Sequence, residues 1–352
     1  MSGDGTSNER RLRMGQAMVE AIAQEMERDQ TVFCLGEDIG KIGGVFQSTA
    51  GLQARYGVER VRDTPISETA ILGTALGAAI CGMRPIAELM FVDFMGVCFD
   101  QLLNNISKTT YMSGGAVKVP LVVTASTGAG ISDAAQHSQS LHGFLAHMPG
   151  LKVVIPSTPY DAKGLMTSAI RDDSPVIYLF HRSLLGLPIM ERLDTGLGEH
   201  VPLESYEIPF GQGRIVRSGT DITIVAVAHM VHKAWLAAER LQERGIDVEI
   251  IDPRTIVPLD TDMILASVRK TGRLVIVDED YLSFGFSGEI AARVAENLDT
   301  ISLRAPIRRV ALQDTPIPYS PILERAAIPQ IDTIVEACTS LMTSHTRDRR
   351  VA

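Results

Sequence analysis

The sequence predicts an α/β protein with two doubly wound domains, each a mostly parallel sheet covered by helices. First, short apolar runs alternate with amphipathic helical segments throughout the second half of the chain, which is the pattern of strand–helix–strand units. Second, strand-like runs in the first half end in polar or glycine-rich segments. Because the carboxyl ends of parallel strands commonly face a site, we expect the functional residues there.

In the first half, the helices are predicted from spacing and capping residues. One helix runs to about Arg28, because four apolar residues recur at helical spacing: Met14, Met18, Ile22 and Met26. Another follows the cap residue Thr158, with a proline in its first turn and Asp161 closing a capping box. The predicted strands are residues 31–35, 86–90, 119–124, 151–155 and 176–180.

In the second half, the alternation gives four strands and four helices. The strands are predicted at residues 222–228, 248–251, 274–277 and 308–312, and the helices at residues 231–244, 261–270, 288–297 and 333–342. Periodicity fails between the halves. We therefore expect a disordered tail, a first domain, a linker, a second domain and a second tail, at residues 1–13, 14–185, 186–213, 214–343 and 344–352.

Composition excludes several classes of function. The chain of 352 residues is 45% apolar and carries a net charge of -9 with no basic run before its last residues, which argues against nucleic acid as a partner. No apolar run is long enough to span a membrane, and the N-terminus lacks the apolar core of a signal peptide. The four cysteines form no CxxC pair, which favours a reducing cytoplasm.

Residues 63–101 organise the first domain. Thr64-Pro65 interrupts the backbone, Ser67 is placed to cap a helix, and residues 69–81 are apolar or small on every side, so this helix is buried. Glu68 lies at its mouth, near an apolar wall that includes Phe91, Phe94 and Met95. From the residues alone, Glu68 is either a first-turn carboxylate facing water or a partly buried acid with a raised pKa that exchanges a proton with a bound ring.

His137 stands in a polar, glycine-rich segment after the predicted strand 119–124. A lone loop histidine is more often solvated than catalytic. His137, His142 and His147 are spaced five apart, which does not suit a three-histidine metal site. The sequence also lacks the HExxH and GxSxG motifs and a GxGxxG after a strand. The remaining carboxylate, histidine and apolar wall suit proton transfer to a bound cofactor.

Several motifs together resemble one known family. They are LGEDIG at 35–40, DTPISE at 63–68, GMRPIAELMFVDF at 82–94, YMSGG at 111–115, AAQHSQS at 134–140, PGLKVV at 149–154 and AIRDDSPV at 169–176. Their order and spacing resemble the beta subunit of the thiamine-diphosphate-dependent 2-oxo acid dehydrogenases, a group that includes the pyruvate, branched-chain 2-oxo acid and acetoin enzymes. DPRTIVPLD at 252–260 resembles a transketolase-type C-terminal domain, so the resemblance implies a pyrimidine-binding domain followed by that domain.

The resemblance implies roles for particular residues. Glu68 falls on the glutamate that hydrogen-bonds the aminopyrimidine ring of thiamine diphosphate and stabilises its imino form. Phe94 falls on the aromatic residue that packs against this ring, and Met90 lines the same pocket. His137 falls on the catalytic histidine, which is expected to bind substrate and assist acyl transfer to a lipoyl group. Some relatives bind potassium, mostly through backbone carbonyls, at the positions of Leu121, Ala169, Asp172 and Ser174.

The family's diphosphate and magnesium motif is missing, since the only GDG is Gly3-Asp4-Gly5 in the predicted tail. The resemblance then implies an alpha subunit that holds the diphosphate and magnesium, an alpha-two beta-two heterotetramer, and no activity of this chain alone. The motifs AAICGMRPIAELMFVDFMGVCFDQ and PSTPYDAKGL resemble the acetoin branch most, with pyruvate as the alternative substrate.

Two other interpretations stay open. The chain could be a non-catalytic subunit that docks a lipoyl-bearing acyltransferase core, although Glu68 and His137 are both present. It could also be a single-chain transketolase-like synthase, although the diphosphate motif is missing. A requirement for a partner in cofactor binding separates these interpretations.

Overall fold

Two sheets with helices on both faces form the framework of this computed structural model, which describes residues 10–186, 193, 195, 197 and 200–343. The predicted tail at 344–352, the first nine residues and part of the predicted linker lie outside the described residues. Within the predicted first tail, Arg10 pairs with Glu20, and its carbonyl oxygen accepts a hydrogen bond from Val201. This part of the predicted tail is therefore held against the protein.

The first sheet confirms the α/β prediction, because nearly all of its strand pairs are parallel. In spatial order its described strands are β10 (Thr255–Val257), β5 (Lys152–Val154), β6 (Val176–His181), β4 (Val122–Thr127), β3 (Arg84–Phe91), β1 (Val32–Gly36) and β2 (Val61–Asp63). Every residue of β4 and β6 is buried. Such burial on both faces is expected for the centre of a parallel sheet.

The second sheet has the order β12 (Arg308–Leu312), β11 (Leu274–Tyr281), β8 (Ile222–Ala226), β9 (Val248–Asp252) and β7 (Arg214–Arg217). The four predicted strands are all present and pair in parallel. The edge strand β7 was not predicted, and it pairs antiparallel with β9. With only four residues, of which none is fully buried, β7 has no clear hydrophobic pattern.

Helices cover both faces of each sheet. Those of the first half are α1 (Met14–Arg28), α2 (Leu52–Tyr56), α3 (Glu68–Ile80), α4 (Thr109–Met112), α5 (His142–Ala146) and α6 (Pro159–Arg171). Those of the second half are α7 (His229–Gln242), α8 (Thr261–Thr271), α9 (Phe286–Ala295), α10 (Pro321–Ala327) and α11 (Ile331–Thr343). No helix within the described ranges combines the length and the apolar character that a membrane crossing requires.

The start of α3 differs from the predicted start by one residue, so Glu68 is the first helical residue. Ser67 occupies the N-cap position, but its side chain makes no capping hydrogen bond, and its predicted capping role is wrong. At α6 the prediction is confirmed in part, since the Thr158 hydroxyl accepts from the Asp161 backbone N–H at 3.2 Å. The Asp161 carboxylate accepts from that hydroxyl at 2.7 Å instead of from the backbone.

The two halves share a sheet edge and a buried interface. Strand β10 comes from the predicted second domain but pairs antiparallel with β5 of the first sheet. The Arg254 guanidinium, just before β10, lies 2.8 Å from the Asp161 carboxylate at the start of α6. Between α5 and β11, buried His142 lies 3.0 Å from buried Asp278. These contacts fix the second sheet relative to the first.

His142 makes stability depend on pH. Burial lowers the pKa of its imidazole, but Asp278, Asp280 and Glu279 outweigh burial and raise this pKa to about 9. Because the folded pKa lies above the unfolded value near 6.5, the stabilisation is complete below about pH 6.5 and is lost as pH rises through about 9. We expect a loss of roughly 1–3 kcal/mol in the free energy of unfolding across this window.

Urea unfolding at pH 6.5 and pH 9 measures this change. His142→Gln removes the titrating group, so its pH-dependent loss should be smaller than that of the unmodified chain. Equal losses for the two proteins over this window would contradict the assignment to His142.

Candidate active site

The predicted site residues gather at one edge of the first sheet. Strands β2, β1, β3 and β4 are neighbours and run parallel, so their carboxyl ends share this edge. Glu68 follows β2, Phe94 follows β3, and His137 follows β4. Met90 is the penultimate residue of β3. The fold therefore brings together segments that are separated by up to about seventy residues in the chain.

Glu68 is buried, with 9% of its surface exposed, and its carboxylate makes no hydrogen bond or ion pair with any described residue. Its charge acts on two neighbours. Burial, and then Glu68, raise the pKa of the Glu37 carboxyl, and the same two causes raise the pKa of the Cys98 thiol to about 12. The Glu68 oxygens are not among the described buried atoms that lack a hydrogen-bond partner, so they are open to a ligand that supplies a donor. Glu68 is therefore suited to bind an N–H or protonated ring nitrogen.

An aromatic wall connects β3 to the histidine segment. The rings of Phe91 and Phe94 lie 5.3 Å apart, between centroids, in an edge-on arrangement. The His137 imidazole lies 4.8 Å from Phe91 and 5.5 Å from Phe94. Met90 is half-buried in the same hydrophobic cluster as Phe94. The structure thus places His137, Phe94 and Met90 in one environment, next to an apolar surface on which a planar ring can pack.

Polar contacts from neighbouring elements fix the segment that carries His137. Arg182 is fully buried directly after β6, and its guanidinium donates to Asp133 at 2.8 Å and to the His137 carbonyl oxygen. The Asp93 carboxylate accepts from the Gln139 side chain at 2.9 Å. The sequence analysis did not identify Arg182. The feature of the sequence that could have identified Arg182 is its position at the carboxyl end of a predicted strand.

A second residue that the sequence analysis missed is Glu88, inside β3. Burial raises the pKa of its carboxyl to about 7, while a hydrogen bond from the Ser48 hydroxyl lowers it. Gly44 approaches this pair so closely that a Cβ there would lie 2.6 Å from the Ser48 hydroxyl oxygen. Glu88 therefore joins the glycine-rich loop after β1 to the sheet behind the site. Glu88 could have been identified from the sequence as the one charged residue within the predicted strand 86–90.

The predicted potassium ligands lie near the opposite ends of these strands. The Leu121 carbonyl oxygen already accepts from Val176 at 2.9 Å, and the Asp172 carbonyl oxygen accepts from Arg84 at 3.0 Å. The Asp172 side chain pairs with Lys152. A carbonyl oxygen has two lone pairs, so these bonds leave room for an ion. The potassium site stays a prediction, with the Arg84 guanidinium as a competing cation.

Family comparisons identify both halves of the chain. Residues 10–188 match "Transketolase, pyrimidine binding domain", and residues 211–334 match "Transketolase, C-terminal domain". A solved structure, "Split gene transketolase, inactive beta4 tetramer", superposes with a TM-score of 0.75 at 22% identity and covers 94% of this chain and 99% of its own, which supports the fold. The two matched domains and their order define a thiamine-diphosphate-dependent protein of the transketolase type.

Sequence identity to curated relatives assigns the chain to a narrower family within this class. The chain is 49% identical to "Acetoin:2,6-dichlorophenolindophenol oxidoreductase subunit beta" of Cupriavidus necator, over 95% of this chain and 98% of that protein. Its identity to the Bacillus subtilis protein of the same name is 43%, over 94% and 97%. It is 42% identical to "Pyruvate dehydrogenase E1 component subunit beta" of Staphylococcus epidermidis, over 92% and 97%. The chain belongs to the family of beta subunits of the acetoin and 2-oxo acid dehydrogenases.

Proposed function

We propose that this chain provides the pyrimidine half of a thiamine diphosphate site in a dehydrogenase that cleaves acetoin and transfers the acyl group to a lipoyl group. The observation that carries the proposal is Glu68, a residue only 9% exposed whose carboxylate has no partner among the described residues and which stands at the same sheet edge as Phe94 and His137. The family membership supports the cofactor. The names of two relatives support the substrate.

Each residue has a defined task in this proposal. Bound thiamine diphosphate supplies a nucleophilic carbon and an electron sink for cleavage beside a carbonyl group. Glu68 accepts or returns one proton at the aminopyrimidine ring, and Phe94 and Met90 hold that ring and exclude water. His137 donates a hydrogen bond to the substrate oxygen and orients the acyl group for transfer. Its ring is positioned for this task by Phe91 and Phe94.

An alpha subunit is the proposed source of the diphosphate and magnesium ligands, because Gly3-Asp4-Gly5 is the only GDG in the sequence. The surface beside Glu68 supports such a partner. Ile66 is 82% exposed two residues before Glu68, and Val97, 62% exposed, receives a hydrogen bond from Thr69 at the start of α3. Exposed apolar side chains beside a site favour a covering protein. An alpha-two beta-two assembly would cover them.

Ile66→Asp is expected to weaken association with the alpha subunit by about 10–100-fold, since a charge would replace an apolar contact at the proposed interface. Leu298→Asp is the matched control, because Leu298 is also exposed, at 51%, but follows α9 in the second half. Co-purification of tagged chain with its partner, quantified at several protein concentrations, measures the effect. Equal recovery of the partner with both variants would show that the interface does not include the surface beside Glu68.

Substrate assays test the proposed function. The chain and its co-purified partner are supplied with thiamine diphosphate and magnesium, and reduction of 2,6-dichlorophenolindophenol is followed with acetoin and pyruvate separately. We expect higher kcat/KM with acetoin. A preference for pyruvate would assign the pyruvate dehydrogenase function, and inactivity with both substrates despite a bound partner would favour another 2-oxo acid or the assembly-subunit interpretation.

An acyltransferase core, a cellular compartment and a potassium ion complete the proposed setting of this chain. The lipoyl group would be carried by an acyltransferase core, and the complex would work in a reducing cytoplasm, in keeping with four free cysteines. Potassium at the backbone carbonyls of Leu121, Ala169, Asp172 and Ser174 stays part of the proposal, and it would share the Asp172 carbonyl oxygen with the Arg84 guanidinium.

A further inference from the structure

Glu324 is a buried carboxylate that connects the C-terminal part of the chain to the segment carrying His137. It lies on α10 and is 4% exposed. Its oxygens accept hydrogen bonds from the backbone N–H groups of Gly130 at 2.8 Å and Ser132 at 3.0 Å. The Ser132 hydroxyl donates a further bond at 3.1 Å. Hydrogen bonds to an ionised carboxylate are among the strong ones in proteins.

The segment that receives these bonds lacks regular secondary structure between β4 and α5. Gly128, Gly130, Ser132 and Ala134 all have positive φ angles. Two of these four residues are not glycine, and such residues keep a left-handed backbone only where surrounding contacts impose it. The Glu324 carboxylate supplies such contacts at Gly130 and Ser132, just before His137.

Other anchors hold the later part of the segment. Arg182 binds Asp133 and the His137 carbonyl oxygen, and Asp93 binds Gln139. Gly128 donates to the Gln139 carbonyl oxygen at 3.1 Å, and the Ser183 hydroxyl donates to the Ala129 carbonyl oxygen at 3.4 Å. The described hydrogen bonds of the Glu324 carboxylate all come from residues 130–132, so Glu324, 192 positions beyond Ser132, anchors this part of the segment.

We propose that Glu324 is a positioning residue for His137. It fixes the beginning of the segment 128–141 and thereby keeps the imidazole against Phe91 and Phe94. The kinetic consequences rest on the proposed function, whereas the structural consequence does not.

The first test is amide hydrogen exchange of the full-length chain. Glu324→Ala should accelerate exchange of peptides within 128–141 on the order of tenfold, while peptides of β8 and β11 keep their rates. Glu324→Gln retains one acceptor oxygen and should give an intermediate rate. Ser132→Ala removes only the hydroxyl bond and supplies a third variant if Glu324→Ala fails to fold. Unchanged exchange of this segment in the variants that fold would overturn the proposal.

The second test is kinetic and uses the assembly with its partner. Glu324→Ala should lower kcat for acyl transfer to lipoamide by about 10–100-fold through misplacement of His137, with less than about a threefold change in the KM for thiamine diphosphate, and Glu324→Gln should restore part of the loss. Glu336→Gln removes the same charge from the exposed face of α11 and is the control. A rise in the KM for thiamine diphosphate with an unchanged kcat would overturn the positioning role of Glu324. Absence of any cofactor-dependent activity in the unmodified assembly would instead refute the proposed function and leave the exchange test decisive.

Discussion

Glu68→Gln is expected to reduce turnover by roughly 10³-fold while leaving the protein folded. Glutamine has nearly the same shape as glutamate but cannot exchange a proton at the aminopyrimidine ring. The Glu68 carboxylate has no partner among the described residues, so its loss breaks no internal bond. We therefore expect a change of less than about 0.5 kcal/mol in the free energy of unfolding.

The measurement is steady-state turnover of the assembly at saturating thiamine diphosphate, with urea unfolding of the same preparations. Glu336→Gln on the exposed face of α11 controls for the loss of one negative charge. Turnover of Glu68→Gln within threefold of the unmodified protein would show that this carboxylate does not move the proton. A large loss of stability would instead indicate a structural role.

His137→Ala is expected to separate the two halves of the reaction. Acyl transfer to a lipoyl group should fall by about 10²–10³-fold, because in the proposed function the imidazole hydrogen-bonds the substrate oxygen and orients the acyl group. Reduction of an artificial acceptor should fall less, since it bypasses the lipoyl step. Loss of the ring also removes the contacts with Phe91 and Phe94, so a small part of the effect is structural.

Parallel assays with dihydrolipoamide formation and 2,6-dichlorophenolindophenol reduction measure this separation. His147→Ala is the control, because His147 is an exposed histidine directly after α5. Unimpaired acylation of the lipoyl group in His137→Ala would contradict the assigned role. Equal losses in both assays would place His137 at a step before the acyl group is transferred.

The sequence predicted the elements whose pattern is local. Periodic apolar residues gave α1, and alternation gave the four parallel strands of the second sheet. The three-residue strand β10 was not predicted, because its partner β5 belongs to the other half of the chain and no local pattern specifies that pairing. Short edge strands are stabilised by the sheet they join, and their own residues carry little signal.

Some residues of the candidate site could likewise be predicted from their neighbours in the sequence, and others could not. The carboxylate at the mouth of an apolar helix and the aromatic wall after β3 were visible in neighbouring residues, although the role of Glu68 and His137 needed the family resemblance. Arg182 and Glu324 could not be predicted locally, since they act on the His137 segment from 45 and 192 residues away. Buried charged residues of this kind become interpretable only when their partners are known.

The central proposal is that the chain forms one half of a cofactor site completed by an alpha subunit. Calorimetric titration of thiamine diphosphate with magnesium into the chain alone, the partner alone and the assembly tests this proposal. We expect binding to the assembly at a stoichiometry of about one cofactor per pair of chains, with affinity for either chain alone weaker by at least about 100-fold. Equally tight binding to this chain by itself would contradict the shared site.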